Sequence, residues 1–186
     1  AVMMIFSLAA CGGDDAKTNK YGLLEDGVLK VAMEAEYPPM EYKDENGNWT
    51  GFDAEFAQLF AKELGVDCEF YIIADWAKKF MELDTKQIDA VWNGMTITEE
   101  ATSNSTVSDP YVLNAQVVVM KADVAPNYTN MEALSGLTIA VESGSAGESA
   151  ASGIAGAKVV PLQTQSAALL EVKAGTADAC VIDITM

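Results

Sequence analysis

Histidine and arginine are absent from the 186 residues, and all eleven basic side chains are lysines. The chain therefore lacks the commonest general base near neutral pH, the commonest imidazole metal ligand and the planar guanidinium that clamps a carboxylate through two hydrogen bonds. Cysteine occurs three times, at Cys11, Cys68 and Cys180, without the paired spacing of a zinc or dithiol motif. Glycine-rich phosphate loops are missing too, because neither Gly12-Gly13 nor the stretch from Gly144 to Gly147 carries the lysine such loops need. Neither a metal nor an organic cofactor is expected. The apolar run AVMMIFSLAA at residues 1–10 is too short to span a bilayer. Eleven basic residues against 28 acidic ones give a formal charge of −17, which argues against nucleic acid or an anionic membrane surface as a partner.

What is present is a folding chain, 50% hydrophobic, with room for two small domains. Residues 1–11 read as a secretory signal. Leu8-Ala9-Ala10-Cys11 resembles the lipobox of bacterial lipoproteins, which makes Cys11 the expected acylation site; the alternative is an ordinary cleaved signal with an incidental thiol. Small and polar residues then make 12–27 a tether. Cys68 and Cys180 sit in separate apolar strand patterns, where burial as small hydrophobes competes with pairing in an exported protein.

From Val28 the chain alternates strand and helix. Val28 to Met33 reads as a strand, and Asn46-Gly47 marks a hairpin turn. Phe52, Phe56, Leu59, Phe60 and Leu64 form a helical stripe expected to face the core, with Gly65 as the stop. Cys68 to Ile73 is a strand, Lys78 to Lys86 a helix and Ile88 to Asn93 a third strand. Ala115 to Met120 follows as a strand. The scheme then repeats: strand Leu137 to Val141, helix within Ala146 to Ala155, strand Lys158 to Leu162, helix Thr164 to Ala174 and strand Ala179 to Ile182. Asp89-Ala90-Val91 and Asp178-Ala179-Cys180 echo one another before the last strand of each half, and both aspartates read as structural. The fold class is α/β, with two doubly wound lobes and a ligand cleft between them. The expected divisions are lobe 1 at 28–114, a hinge crossover at 115–126 and lobe 2 at 127–186. Because the chain stops at Met186 directly after a strand, its C-terminal part is expected to be missing.

Function is most readable from Asp89 to Tyr111. Ala90, Val91 and Trp92 suit an inner parallel strand, whose carboxyl end is where open α/β sheets bind ligands. Gly94 allows close backbone approach, and Thr96 and Thr98 offer polar contacts in a hydroxyl-rich loop without an obvious nucleophile. That combination favours holding a molecule over reacting with it.

Several segments in the right order, LKVAMEAEYPPMEYKDENGNWTGFDAEFAQLFAKELG, DAVWNGMTIT with SDPY, LSGLTIAVESGS and ADACVID, resemble the extracytoplasmic solute-binding proteins of ABC importers for polar amino acids, of the type II periplasmic-binding-protein fold. The resemblance runs from about Leu29 to Ile184. It implies a protein that is not an enzyme, a small polar solute caught between lobes, delivery to a membrane permease, a monomer, and anchoring through Cys11 outside the cytoplasmic membrane. It assigns Tyr37 and Trp76 as aromatic walls, Glu34 as an acidic cleft residue, Gly94 and Thr96 as the carboxylate-holding loop, Ser145 as a lobe-two contact and Asp183 as the amine-binding aspartate. Glu142 joins them as a second acidic cleft candidate. Each has a plainer reading: core aromatics, a tight turn, a helix cap, solvated glutamates.

One departure matters. After Thr98-Glu99-Glu100 the family usually places a carboxylate-binding arginine, and this chain has Ala101. A lost charge-assisted hydrogen bond weakens binding about ten- to a hundredfold. Either backbone amides near Gly94 and Thr96 suffice, a lysine such as Lys78 reaches in, or the ligand is not an ordinary α-amino acid; Glu34 and Glu142 favour a ligand carrying extra positive charge. Competing functions are a sensory domain of the same fold and a dehydratase using Glu34 as its acid or base.

Overall fold

The computed structural model describes residues 27–186. The expected signal 1–11, Cys11 included, and nearly all of the 12–27 tether lie outside the described residues.

The first sheet is built on β1 (Val28–Met33), flanked by β4 (Asp67–Ile72) on one side and the two-residue β5 (Ala90–Val91) on the other, all parallel. Successive strand residues face opposite ways. Leu29, Val31 and Met33 accordingly pack under α1 (Phe52–Leu64), while Ala32 meets Ile73, Trp76 and Ile88 on the far side. A hairpin of β2 (Tyr42–Lys43) and β3 (Trp49–Thr50) connects β1 to α1. The Asp44 carboxylate accepts the amides of Asn46 and Asn48 at 2.8 Å each, and this holds the Asn46-Gly47 turn.

The buried face of α1 is not the expected aromatic stripe. Ala54, Ala57 and Ala61 are buried, whereas Phe52, Phe56, Leu59 and Phe60 are 37–60% exposed. The small alanine face lets the helix approach the sheet closely. The displaced rings cluster instead on Trp92 and Tyr111, with Phe56 and Phe60 at 5.0 and 5.3 Å from Trp92. The buried Asp53 accepts the Tyr111 hydroxyl at 2.8 Å and so ties the Asp109-Pro110-Tyr111 turn to this helix.

The helix expected at Lys78 to Lys86 is a single 3₁₀ turn, Trp76–Lys78, running into α2 (Lys79–Asp84). In the stretch expected to be loop, α3 (Glu99–Asn104) forms. Thr98 accepts the Ala101 amide at 3.1 Å, and Glu99 and Glu100 occupy the first turn, where acidic side chains favour a helix N-terminus.

The second sheet has the order β6 (Gln116–Met120), β9 (Ala179–Asp183), β7 (Thr138–Glu142), β8 (Lys158–Leu162). β6 is antiparallel to β9, and the other neighbours are parallel. Residues 116–120, expected inside a hinge crossover at 115–126, are thus an integral edge strand of this sheet; the chain has already changed sheets by Gln116. Helices cover both faces. α4 (Ala146–Ser152) packs with Ile139, Val141 and Val181, and α5 (Gln165–Ala174) packs with Ala140, Cys180 and Ile182. Cys180 is buried in that second core, Cys68 is half-buried, and both are free thiols.

The short echo between the halves has a physical meaning. Asp89 accepts the Lys30 amide from β1, and Asp178 accepts the Thr138 amide from β7, each at 2.8 Å. Each aspartate also donates its own amide to the carbonyl of the same strand residue. The same device therefore starts the last strand of each sheet.

Candidate ligand cleft

The carboxyl ends of β1, β5, β7 and β9 converge on one cavity of about 240 Å³. All eight residues singled out from the sequence, Glu34, Tyr37, Trp76, Gly94, Thr96, Glu142, Ser145 and Asp183, line it. Glu34 follows β1, while Glu142 and Asp183 end β7 and β9, so strand alternation delivers acidic side chains from both sheets to one space.

The halves touch directly around the cavity. The Tyr37 hydroxyl lies 2.8 Å from that of Thr185, and Gln163 donates to the Ala74 carbonyl at 3.1 Å. Gly144, with φ +74°, presses on Ala77; a Cβ there would come within 2.6 Å of the Ala77 Cα. Gly94 fits against the Tyr37 ring in the same way, where a Cβ would meet Cε1 at 3.0 Å. Its bareness makes room for a neighbouring ring. Ser145 caps α4, accepting the Glu148 amide at 3.1 Å and donating to the Glu142 carbonyl at 2.8 Å.

The acidic side chains are not equivalent. Asp183 is held by protein donors: Asn114 at 2.5 Å, Thr96 at 3.4 Å and the Gln116 side-chain amide on one oxygen, and Gln165 at 2.5 Å on the other. Glu34 and Glu142 are 4% and 1% exposed, yet among the described residues Glu34 Oε2 and both Glu142 oxygens have no hydrogen-bond donor. They are not solvated glutamates. The two carboxyls lie close enough for each to affect the other's titration. Burial raises the pKa of both, and for Glu142 the charge of Glu34 raises it further. Burial likewise pushes the Tyr37 phenol up, with Asp183 adding to it. The Asn93 side-chain carbonyl is a further buried acceptor without a donor in this wall.

Lys78, weighed from the sequence as the cation reaching in, instead pairs with Asp75 at 3.1 Å on the surface. The neighbouring Lys79 is the one that enters. It is 4% exposed, its Nζ donates to the carbonyls of Trp76 at 3.4 Å and Gly144 at 3.0 Å, and it lies about 5 Å from the ring centres of Trp76 and Phe80. The sequence offered a signal in two consecutive lysines, but the 3₁₀ turn that selects the second was not legible. Gln165 was missed as well. Its side chain accepts the Asp183 amide at 2.8 Å while donating to the Asp183 carboxylate, so it sets that residue's orientation.

The chain is similar to known proteins. Residues 29–177 match the bacterial extracellular solute-binding proteins, family 3. The L-cystine-binding protein TcyJ of Escherichia coli K12 is 36% identical over 66% of this chain and 48% of its own length. The arginine-binding extracellular protein ArtP of Bacillus subtilis is 31% identical over 98% of this chain and 70% of its own. The chain thus spans about half the length of the cystine-binding relative. Among solved structures, holo ArgBP from T. maritima is 40% identical with a TM-score of 0.78, covering 84% of this chain and 69% of that one. The ancestral amino acid-binding protein AncCDT-1, described as a precursor of cyclohexadienyl dehydratase, is 38% identical with a TM-score of 0.79, covering 85% and 71%. The alternating sheets, the cleft at their carboxyl ends and these matches agree: the chain belongs to the bacterial extracellular solute-binding proteins, family 3.

Proposed function

We propose that this chain is the solute-capturing part of an ABC importer and takes an amino acid that carries additional positive charge. The observation that carries the reading is the pair Glu34 and Glu142, buried together in the cleft, with Glu34 Oε2 and both Glu142 oxygens lacking a donor among the described residues. A second ammonium or a guanidinium brings the donors this wall lacks, and Tyr37 and Trp76 supply flat faces for an aliphatic stem or a cation. The arginine-binding names of several relatives favour the same class. Ligand contact with both lobes stabilises the closed form, which then docks on a membrane permease. Cys11 anchors the mature protein outside the cytoplasmic membrane, and the protein acts as a monomer. Binding accounts for the cleft better than dehydration, because its open groups are acceptors that suit a cationic guest and no imidazole is available to move protons.

Calorimetric titration of the full-length protein with L-arginine, L-lysine, L-histidine, L-cystine and L-glutamate tests this. Binding of L-arginine or L-lysine at least about tenfold tighter than L-glutamate supports it, a difference of about 1.4 kcal/mol. Preference for L-glutamate over every cation overturns it.

A further inference from the structure

We infer that Lys79 receives the ligand's carboxylate, in the role that Ala101 leaves vacant; the inference rests on the amino-acid reading above. Lys79 is the only basic side chain among the residues lining the cavity, and Ala101 contributes only a methyl group to the same lining. Burying an ammonium is costly unless a counter-charge comes with it. Two carbonyls hold the Lys79 Nζ, and among the described residues no carboxylate oxygen comes within 4.0 Å of it. One N–H of the ammonium is left for an anionic partner. Burial lowers the Lys79 pKa, and the nearby Glu100, Glu142 and Glu34 offset part of that push; a ligand carboxylate would add to the offset.

The geometry also ties carboxylate recognition to closure. Lys79 starts α2 in the first half, and its 3.0 Å bond to the Gly144 carbonyl reaches the loop after β7 in the second. A carboxylate seated on Lys79 is therefore held at the junction of the two halves. The cation of the same guest points to Glu34 and Glu142, so a zwitterion with an extra positive group meets complementary charge at each end.

The test compares the tightest-binding amino acid of the calorimetric panel with its decarboxylated amine; for L-arginine the pair is L-arginine and agmatine. In the wild-type full-length protein the amino acid binds more tightly than the amine. Lys79→Met weakens the amino acid by about 10- to 100-fold, the range of one charge-assisted hydrogen bond, and leaves the amine within about twofold. Adding Ala101→Arg to Lys79→Met restores the amino acid. Should Lys79→Met fail to fold, the wild-type NMR signal of the Lys79 Cε shifts on adding the amino acid and stays put on adding the amine. Equal loss of both ligands, no loss of either, or an unmoved Lys79 resonance overturns the inference while amino-acid binding stands. Failure of every amino acid to bind overturns both readings.

Discussion

Glu34, directly after β1, and Glu142, at the end of β7, line the same cleft closely enough for each to affect the other's titration. Both are buried, and their pKa values are raised by burial first; Glu41, wholly buried beside Glu34, is pushed up to about 10 for the same reason. A carboxyl with a raised folded pKa keeps its proton in the native state at a pH where the unfolded chain has lost it. The native state then binds more protons, so stability is full below the ordinary carboxylate range and is lost as pH rises through the raised values. The melting temperature of the ligand-free protein is therefore expected to fall from about pH 5 to about pH 10, and Glu41→Gln is expected to flatten that slope. Fluorimetric melting across that range checks it. A melting temperature that climbs with pH would contradict the sign.

Gly144→Ala strikes the contact between the halves. The new Cβ would lie 2.6 Å from the Ala77 Cα, on backbone at φ +74° where a side chain is already strained. Each half keeps its own core, so far-ultraviolet circular dichroism is expected to stay native while the closed form opens. Small-angle scattering should show a larger radius of gyration than wild type, and ligand affinity should fall by about tenfold or more. An unchanged radius and affinity would mean that the Gly144–Ala77 approach does not govern closure.

Asp183 and Glu142 should separate under the same substitution chemistry. Asp183→Asn puts an amide donor where only acceptors fit among Asn114, Gln116, Thr96 and Gln165, so it is expected to destabilise the ligand-free protein by about 1–3 kcal/mol. Glu142→Gln removes a buried carboxyl with no protein donor and should leave stability equal or higher while weakening a cationic ligand. Urea denaturation beside calorimetry measures both. A stable Asp183→Asn protein with impaired binding would show that Asp183 serves the ligand and not the fold.

Much of the fold was legible because period and punctuation agreed. β1, the Asn46-Gly47 turn, the stop at Gly65 and the second sheet's alternation all lie where the sequence put them. The inward face of α1 was not, since hydrophobic size pointed to Phe52, Phe56 and Phe60, whereas close helix-to-sheet approach selected Ala54, Ala57 and Ala61. β6 was read as a strand, but its membership in the second sheet depends on pairing with β9, which lies some 60 residues later in the chain and leaves no local mark. Among site residues, those at strand ends were found because topology fixes where strand ends go. Lys79 and Gln165 were not, because a helical turn aims the first and the second acts only through its bonds to Asp183.

Trp76 is the one tryptophan lining the cleft, with Trp49 and Trp92 elsewhere, so the Trp49→Phe/Trp92→Phe protein reports on that wall alone. Titrating this variant with the common L-amino acids while following its emission is the most direct measurement of whether a small guest sits between the halves. A saturable change with a cationic amino acid, abolished by Glu34→Gln/Glu142→Gln, is the predicted result. Emission that stays flat for every amino acid while the protein remains folded would contradict the account.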